Sequence, residues 1–187
     1  KNFIFTHENG LVYKHPPEIT QMILAFLLGS ECWGYPLSLM IIGPVGSGKT
    51  TLIECLNLLF NEPSGIFEAG NSTIKGLITS YKQKPASPGY LLECNRIGLV
   101  DELFKMIAAM DKQSQYRDLN SSYLAQFNMI LEHKKRSIGS GNDNTMDAQA
   151  TAKYLFTTNE YPGTNSLEDH IGIINDTTLS RMLLYVQ

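Results

Sequence analysis

Apolar residues recur along the chain with two kinds of spacing. In PPEITQMILAFLLG (residues 16–29), Ile19, Met22, Ile23 and Phe26 fall three or four apart, with prolines at the start and Gly29 near the end. That spacing gathers them on one face of a helix. KTTLIECLNLLF (49–60) repeats the pattern through Leu52, Ile53, Leu56, Leu59 and Phe60, and a third helical stretch is predicted from Tyr123 to His133. Between the helices lie short, mainly apolar runs: LSLMIIG (37–43), RIGLVDEL (96–103) and LSRMLLYVQ (179–187). Runs of this kind are the pattern of strands buried on both faces. KKRSIGSGNDNTMDAQATAKYLFTTN (134–159) reads as two strands joined by a loose polar tip, the second ending at Asn159. Residues 61–89 are polar and punctuated by glycine and proline, and the N-terminal segment reads as irregular. Strands alternating with helices predict an α/β fold on a parallel sheet.

Composition narrows the class without naming a chemistry. A chain of 187 residues, 43% hydrophobic and 18% charged, suits one soluble domain with a sizeable core. Its net charge of −3 excludes a globally basic nucleic-acid binder, so any such contact must come from local clusters. Cys32, Cys55 and Cys94 are odd in number, widely spaced and without a CxxC pair. They read as reduced thiols of a cytosolic protein, not as a zinc site or a disulfide frame. The run MILAFLL is too short to span a bilayer. Its place inside the chain and its helical spacing favour a core helix over a signal peptide. The first residue is Lys1, as expected of a fragment of something larger, with residues 1–17 leading into a core of residues 18–187.

Chemistry enters at IIGPVGSGKTT (41–51), in which Gly43–Thr50 fits G-x-x-x-x-G-K-[ST] between a predicted strand and a predicted helix. Gly43, Pro44, Val45, Gly46, Ser47 and Gly48 form a loop whose N–H groups can turn toward phosphate oxygens, ahead of Lys49, Thr50 and Thr51 at the helix start. Lys49 is placed to reach the β- and γ-phosphates of ATP, and the Thr50 hydroxyl to ligate Mg²⁺. IGLVDE then brings Asp101 to the sheet edge to hold Mg²⁺ through water. It places Glu102 to orient or deprotonate an attacking water. A second carboxylate speaks for hydrolysis over phosphoryl transfer to a metabolite; the plain alternative is an acidic strand end facing solvent. Asn159 is either a turn residue or a sensor of the γ-phosphate. Arg181 is either a surface ion pair or an arginine finger.

Together these residues resemble an AAA+ ATPase, and more narrowly the minichromosome-maintenance (MCM) type of replicative helicase. VDELFKM is similar to that family's Walker B run, with Lys105 and Met106 at the usual offset from the acidic pair. IKGLITSYKQKPASPGYLLE resembles the segment with a Gly-Leu-Thr signature and helix-2 insert, although Ile78 comes first and Thr79 is displaced by one. LEHKKRSIG…AKYLFTTN is similar to the helix, pre-sensor hairpin and sensor-1 strand, and LSRM to the Ser-Arg-Phe finger motif with Met182 in place of the aromatic. The likeness runs from about Glu18 to Gln187 in the family's order. It implies a three-layer αβα P-loop core with a pre-sensor β-hairpin, and a hexameric ring with nucleotide between subunits. Asn159 would then be the sensor, and Arg181 would act in trans on a neighbour's nucleotide.

Three departures qualify what the resemblance implies. The loop GPVGSGKTT is closer to a general AAA+ loop than to the MCM form, TTNEYPG lacks an Asn-Pro pair, and the hairpin tip GSGNDNTMD lacks the family's lysine. Lys134, Lys135 and Arg136 on the approaching strand, with Lys82 and Lys84 of the insert, are the alternative DNA contacts; equally, the short basic run is a solvated strand face. The helical lid that follows the finger in AAA+ proteins is absent from the residues after Arg181. The expectation is therefore an ATP-hydrolysing motor core acting on single-stranded or forked DNA, in the cytoplasm at the nucleoid or in a nucleus, with no membrane role. The alternatives are a protein-remodelling or regulatory ATPase of the MoxR, chelatase or transcription-activator kind, and a scaffold that binds ATP with little turnover.

Overall fold

The computed structural model describes residues 4–6, 10, 12–33, 37–80, 87–107, 123–133, 136–140, 144–159, 178 and 181–186. Its centre is β3 (Ser38–Gly43), buried along its whole length. On one side β3 pairs in parallel with β10 (Lys153–Asn159), and on the other with β11 (Leu183–Val186). Beyond β10 lie β7 (Ile97–Asp101) and then β4 (Ile66–Glu68), giving a five-stranded, all-parallel sheet in the order β11-β3-β10-β7-β4. Parallel pairing puts every strand's carboxyl end at one edge. There Asn159 stands opposite Gly43, and Glu68 opposite Asp101.

Alternation along the strands divides the core in two. Leu39, Ile41, Ile97, Leu99 and Leu155 face α1 (Pro17–Trp33) and α2 (Lys49–Phe60), which bury Ile19, Ile23 and Phe26, and Leu52, Ile53 and Leu56. Met40, Ile42, Val100, Tyr154 and Phe156 belong to the opposite cluster. Its helical partners are α5 (residues 103–107) and α6 (Tyr123–Leu131), through Leu103, Phe104, Phe127 and Ile130. Each such side chain contributes about 1.5–3 kcal/mol on burial. The sheet is therefore sandwiched between helices on both faces, an α/β fold as the pattern predicts. Among the described residues no helix is long and apolar enough to cross a membrane.

Several elements differ from the sequence pattern. The two strands expected in 134–159 are three: β8 (Arg136–Ser140) pairs antiparallel with β9 (Asn144–Ala148), while β10 joins the central sheet. The break falls at residues 149–152, where buried Ala150 and Ala152 carry the chain from hairpin to core. α1 runs past Gly29 to Trp33 because that glycine serves packing: a Cβ there would lie 2.8 Å from the Leu37 side chain. Part of the irregular N-terminal segment forms a hairpin of β1 (Ile4–Thr6) and β2 (Val12–Lys14). Within residues 61–93 lie the edge strand β4, the short helices α3 (Ile74–Leu77) and α4 (Tyr90–Glu93), and the pair β5 (Thr79–Ser80) with β6 (Ser87–Pro88). Tyr90 ties α4 to the sheet: its hydroxyl lies 2.7 Å from the Gly65 carbonyl and accepts the Leu99 N–H at 2.8 Å.

Candidate functional site

β3 ends at Gly43, and the chain turns through residues 44–48 into α2. Gly46 and Gly48 take φ of 85° and 87°, in the left-handed region that favours glycine. At Gly48 a Cβ would also come within 3.2 Å of the His15 ring, which reaches the loop from the segment before α1. Burial pushes the His15 imidazole below its ordinary pKa. Gly48 caps α2 without a side-chain hydrogen bond, so no cap side chain covers the N–H groups of the first turn. Those groups and the helix dipole favour an anion at this spot.

Lys49 is 6% exposed and folds back over the loop. Its ammonium donates to the Gly43 carbonyl at 2.8 Å, the Pro44 carbonyl at 2.7 Å and the Ser47 hydroxyl at 3.2 Å. A buried cation held by loop carbonyls is poised to exchange those acceptors for the oxygens of an entering phosphate. Pro44, Val45 and Gly46 form the exposed rim, and Thr51 is half-buried in the first turn of α2.

The neighbouring strand ends complete the edge. Thr50 donates its hydroxyl proton to Asp101 Oδ2 at 3.0 Å. Asp101 Oδ1 accepts from the Glu102 N–H at 3.0 Å and from the Thr157 hydroxyl at 2.5 Å. Three donors thus fix one carboxylate between α2, β7 and β10. Thr157, fully buried on β10, escapes detection in the sequence, because a threonine in an apolar strand carries no signal of its partner.

Glu102 leaves β7 with φ 59°, a left-handed conformation uncommon outside glycine. Its Oε1 is 3.5 Å from the Asn159 amide nitrogen, and its Oε2 accepts from the Lys105 ammonium at 2.6 Å. Gly70, in the turn after β4, makes room for this carboxylate: a Cβ there would lie 2.2 Å from Oε2. The structure therefore brings together Lys49, Thr50, Asp101, Glu102 and Asn159, and adds His15, Gly70, Lys105 and Thr157.

Arg181 lies elsewhere. Leu183 pairs with Leu39, so Arg181, two residues earlier, stands near the level of Leu37. At 3.3 Å per residue, that is about 20 Å down the strands from Gly43, at the opposite edge of the sheet. Its guanidinium is paired with Glu132, just past the end of α6. One turn earlier on α6, Asn128 accepts the hydroxyl of buried Thr178 at 2.7 Å.

Of the proposed DNA contacts, Lys82, Lys84, Lys134 and Lys135 lie outside the described residues, while Arg136 opens β8 opposite Ala148. Cys55 and Cys94 are buried and unbridged, and burial pushes both thiols up to about 11. No protein-family model matches this chain, and no curated protein matches it.

Proposed function

We propose that this chain is the ATP-hydrolysing core of an AAA+ motor of the MCM type, acting on DNA. The observation that carries the reading is the convergence at one sheet edge of a buried loop lysine, a hydroxyl–carboxylate pair 3.0 Å apart, and a second carboxylate beside an amide. Lys49 and the bare first turn of α2 bind the triphosphate. Glu102 orients the attacking water or accepts its proton, and Asn159 reports on the γ-phosphate.

Thr50 and Asp101 fit a magnesium site: two hard oxygen donors, few enough to leave positions for water and phosphate. Among the described residues no group of three or more His, Cys, Asp or Glu side chains forms a closed metal cage. Bound there, Mg²⁺ would neutralise charge developing on the β- and γ-phosphate oxygens.

Asn159 on β10, Arg181 before β11 and the β8–β9 hairpin stand in the order of the family the sequence resembles. On that likeness rest the assembly into a ring and the action of Arg181 on a neighbouring nucleotide. Steady-state ATPase assays of the full-length protein test the reading. Lys49→Ala abolishes binding or turnover, and Glu102→Gln keeps nucleotide binding and stops hydrolysis. Single-stranded or forked DNA stimulates the wild type. Activity indifferent to DNA would instead favour a protein-remodelling ATPase, and an active Glu102→Gln protein would overturn the catalytic assignment.

A further inference from the structure

We infer that Lys105 is the positioning residue of Glu102, working against a niche that Gly70 leaves open. The inference rests on the hydrolytic reading of Glu102 and adds to it what holds the carboxylate in place. Glu102 leaves its strand in a left-handed conformation, which swings its side chain away from the path of β7. Lys105, one helical turn into α5, takes Oε2 at 2.6 Å, and the Gly70 backbone closes the same side. The Lys105 ammonium would itself stand 3.5 Å from a Cβ placed on Gly70. With Oε2 occupied, the oxygen left for chemistry is Oε1, the one facing Asn159 at 3.5 Å. A base that rotates freely offers either oxygen in many directions. One pinned at Oε2 offers a single oxygen next to the amide that senses the γ-phosphate.

The pair is ill suited to a purely structural task. The Lys105 side chain is 65% exposed and that of Glu102 32%, and ion pairs so open to water contribute little to stability. The fold also keeps a glycine at residue 70 although its φ is not left-handed, so the backbone there accepts alanine. What a Cβ there would displace is the Glu102 carboxylate, whose Oε2 lies 2.2 Å from its position.

The test uses the full-length protein and measures kcat, KM for ATP and the urea midpoint. Lys105→Ala is expected to lower kcat about 10–100-fold, the scale of a misplaced catalytic group, with KM and the urea midpoint unchanged. Lys105→Arg restores most of the rate. Gly70→Ala, which pushes on the carboxylate from the other side, reproduces the kcat loss. Wild-type or raised kcat in both Lys105→Ala and Gly70→Ala, with Glu102→Gln inactive, overturns the positioning role alone. Wild-type turnover by Glu102→Gln overturns the hydrolytic reading and this inference with it.

Discussion

Arg181 and Glu132 form an ion pair within one chain, Nε lying 3.1 Å from Oε1, with both side chains about four-fifths buried. The pair joins the approach to β11 to the residue that leaves α6 for the β8–β9 hairpin, so the arginine and the hairpin share one anchor. An arginine committed to Glu132 must exchange that carboxylate for phosphate before it can serve a neighbour, and a charge-assisted contact in a half-dry site is costly to leave.

Glu132→Gln removes that competitor. In the assembled protein it is expected to raise turnover about fivefold, the equivalent of about 1 kcal/mol. Arg181→Ala removes the guanidinium from a pair about four-fifths buried and is expected to destabilise the fold by about 1–3 kcal/mol, read from the urea midpoint. Arg181→Ala and Lys49→Ala subunits, each inactive alone, should regain partial ATPase activity when mixed. No recovery in demonstrably mixed rings would refute action in trans.

The sheet and the loop were legible because their signals are local. LSLMIIG is apolar but for Ser38 because β3 is covered on both faces, and Gly46 and Gly48 stand where φ is positive. Asp101 could be placed at the edge because it ends such a run. What stayed hidden depends on partners far along the chain. β4 is three residues long and only half-buried, too little for a periodic signal. The Thr157 contact with Asp101 spans 56 residues, and Gly70 meets Glu102 only once β4 has joined β7. Lys105 is the exception. Its i, i+3 spacing from Glu102 is readable, but a helix starting between them had to be known first.

Thr157→Val tests how firmly Asp101 is held. The substitution keeps the shape of a fully buried side chain and deletes the hydroxyl that donates to Oδ1. A loss of about 1 kcal/mol in stability is expected, since Asp101 keeps its contacts with Thr50 and the Glu102 N–H. The functional signature is a higher Mg²⁺ requirement for turnover at unchanged affinity for metal-free nucleotide. An unaltered magnesium titration would remove Thr157 from the site.

Tyr90→Phe tests the tether between α4 and the sheet. The hydroxyl accepts the buried Leu99 N–H at 2.8 Å and lies within 3.0 Å of two carbonyls. Phenylalanine leaves that N–H unpaired in the core, at a cost of about 1–3 kcal/mol. The Phe67 ring, 5.2 Å away, keeps its contact, so the loss should come from the hydroxyl alone. A urea midpoint equal to wild type would mean that water satisfies Leu99.

His133 gives the fold a dependence on acid. Its ring stacks on Tyr154 at 5.6 Å, Nδ1 lies 3.1 Å from the Ala150 carbonyl, and Nε2 is buried without a hydrogen-bond partner among the described residues. Burial holds its pKa below the ordinary 6.5, against a smaller upward pull from the Ala150 carbonyl. Above pH 6.5 both folded and unfolded chains carry a neutral ring, and stability is indifferent to this group. Below 6.5 the unfolded chain takes up a proton that the folded chain refuses, so stability falls as the pH falls, by at most about 1.4 kcal/mol per unit for one group. His15, also depressed by burial, adds in the same direction. Asparagine tolerates the φ of 52° found at residue 133 and can donate to the same carbonyl. His133→Asn should therefore fold, and between pH 7.5 and 5.5 its urea midpoint should decline less than that of the wild type. Parallel declines in the two proteins would show that His133 takes no part in the acid response.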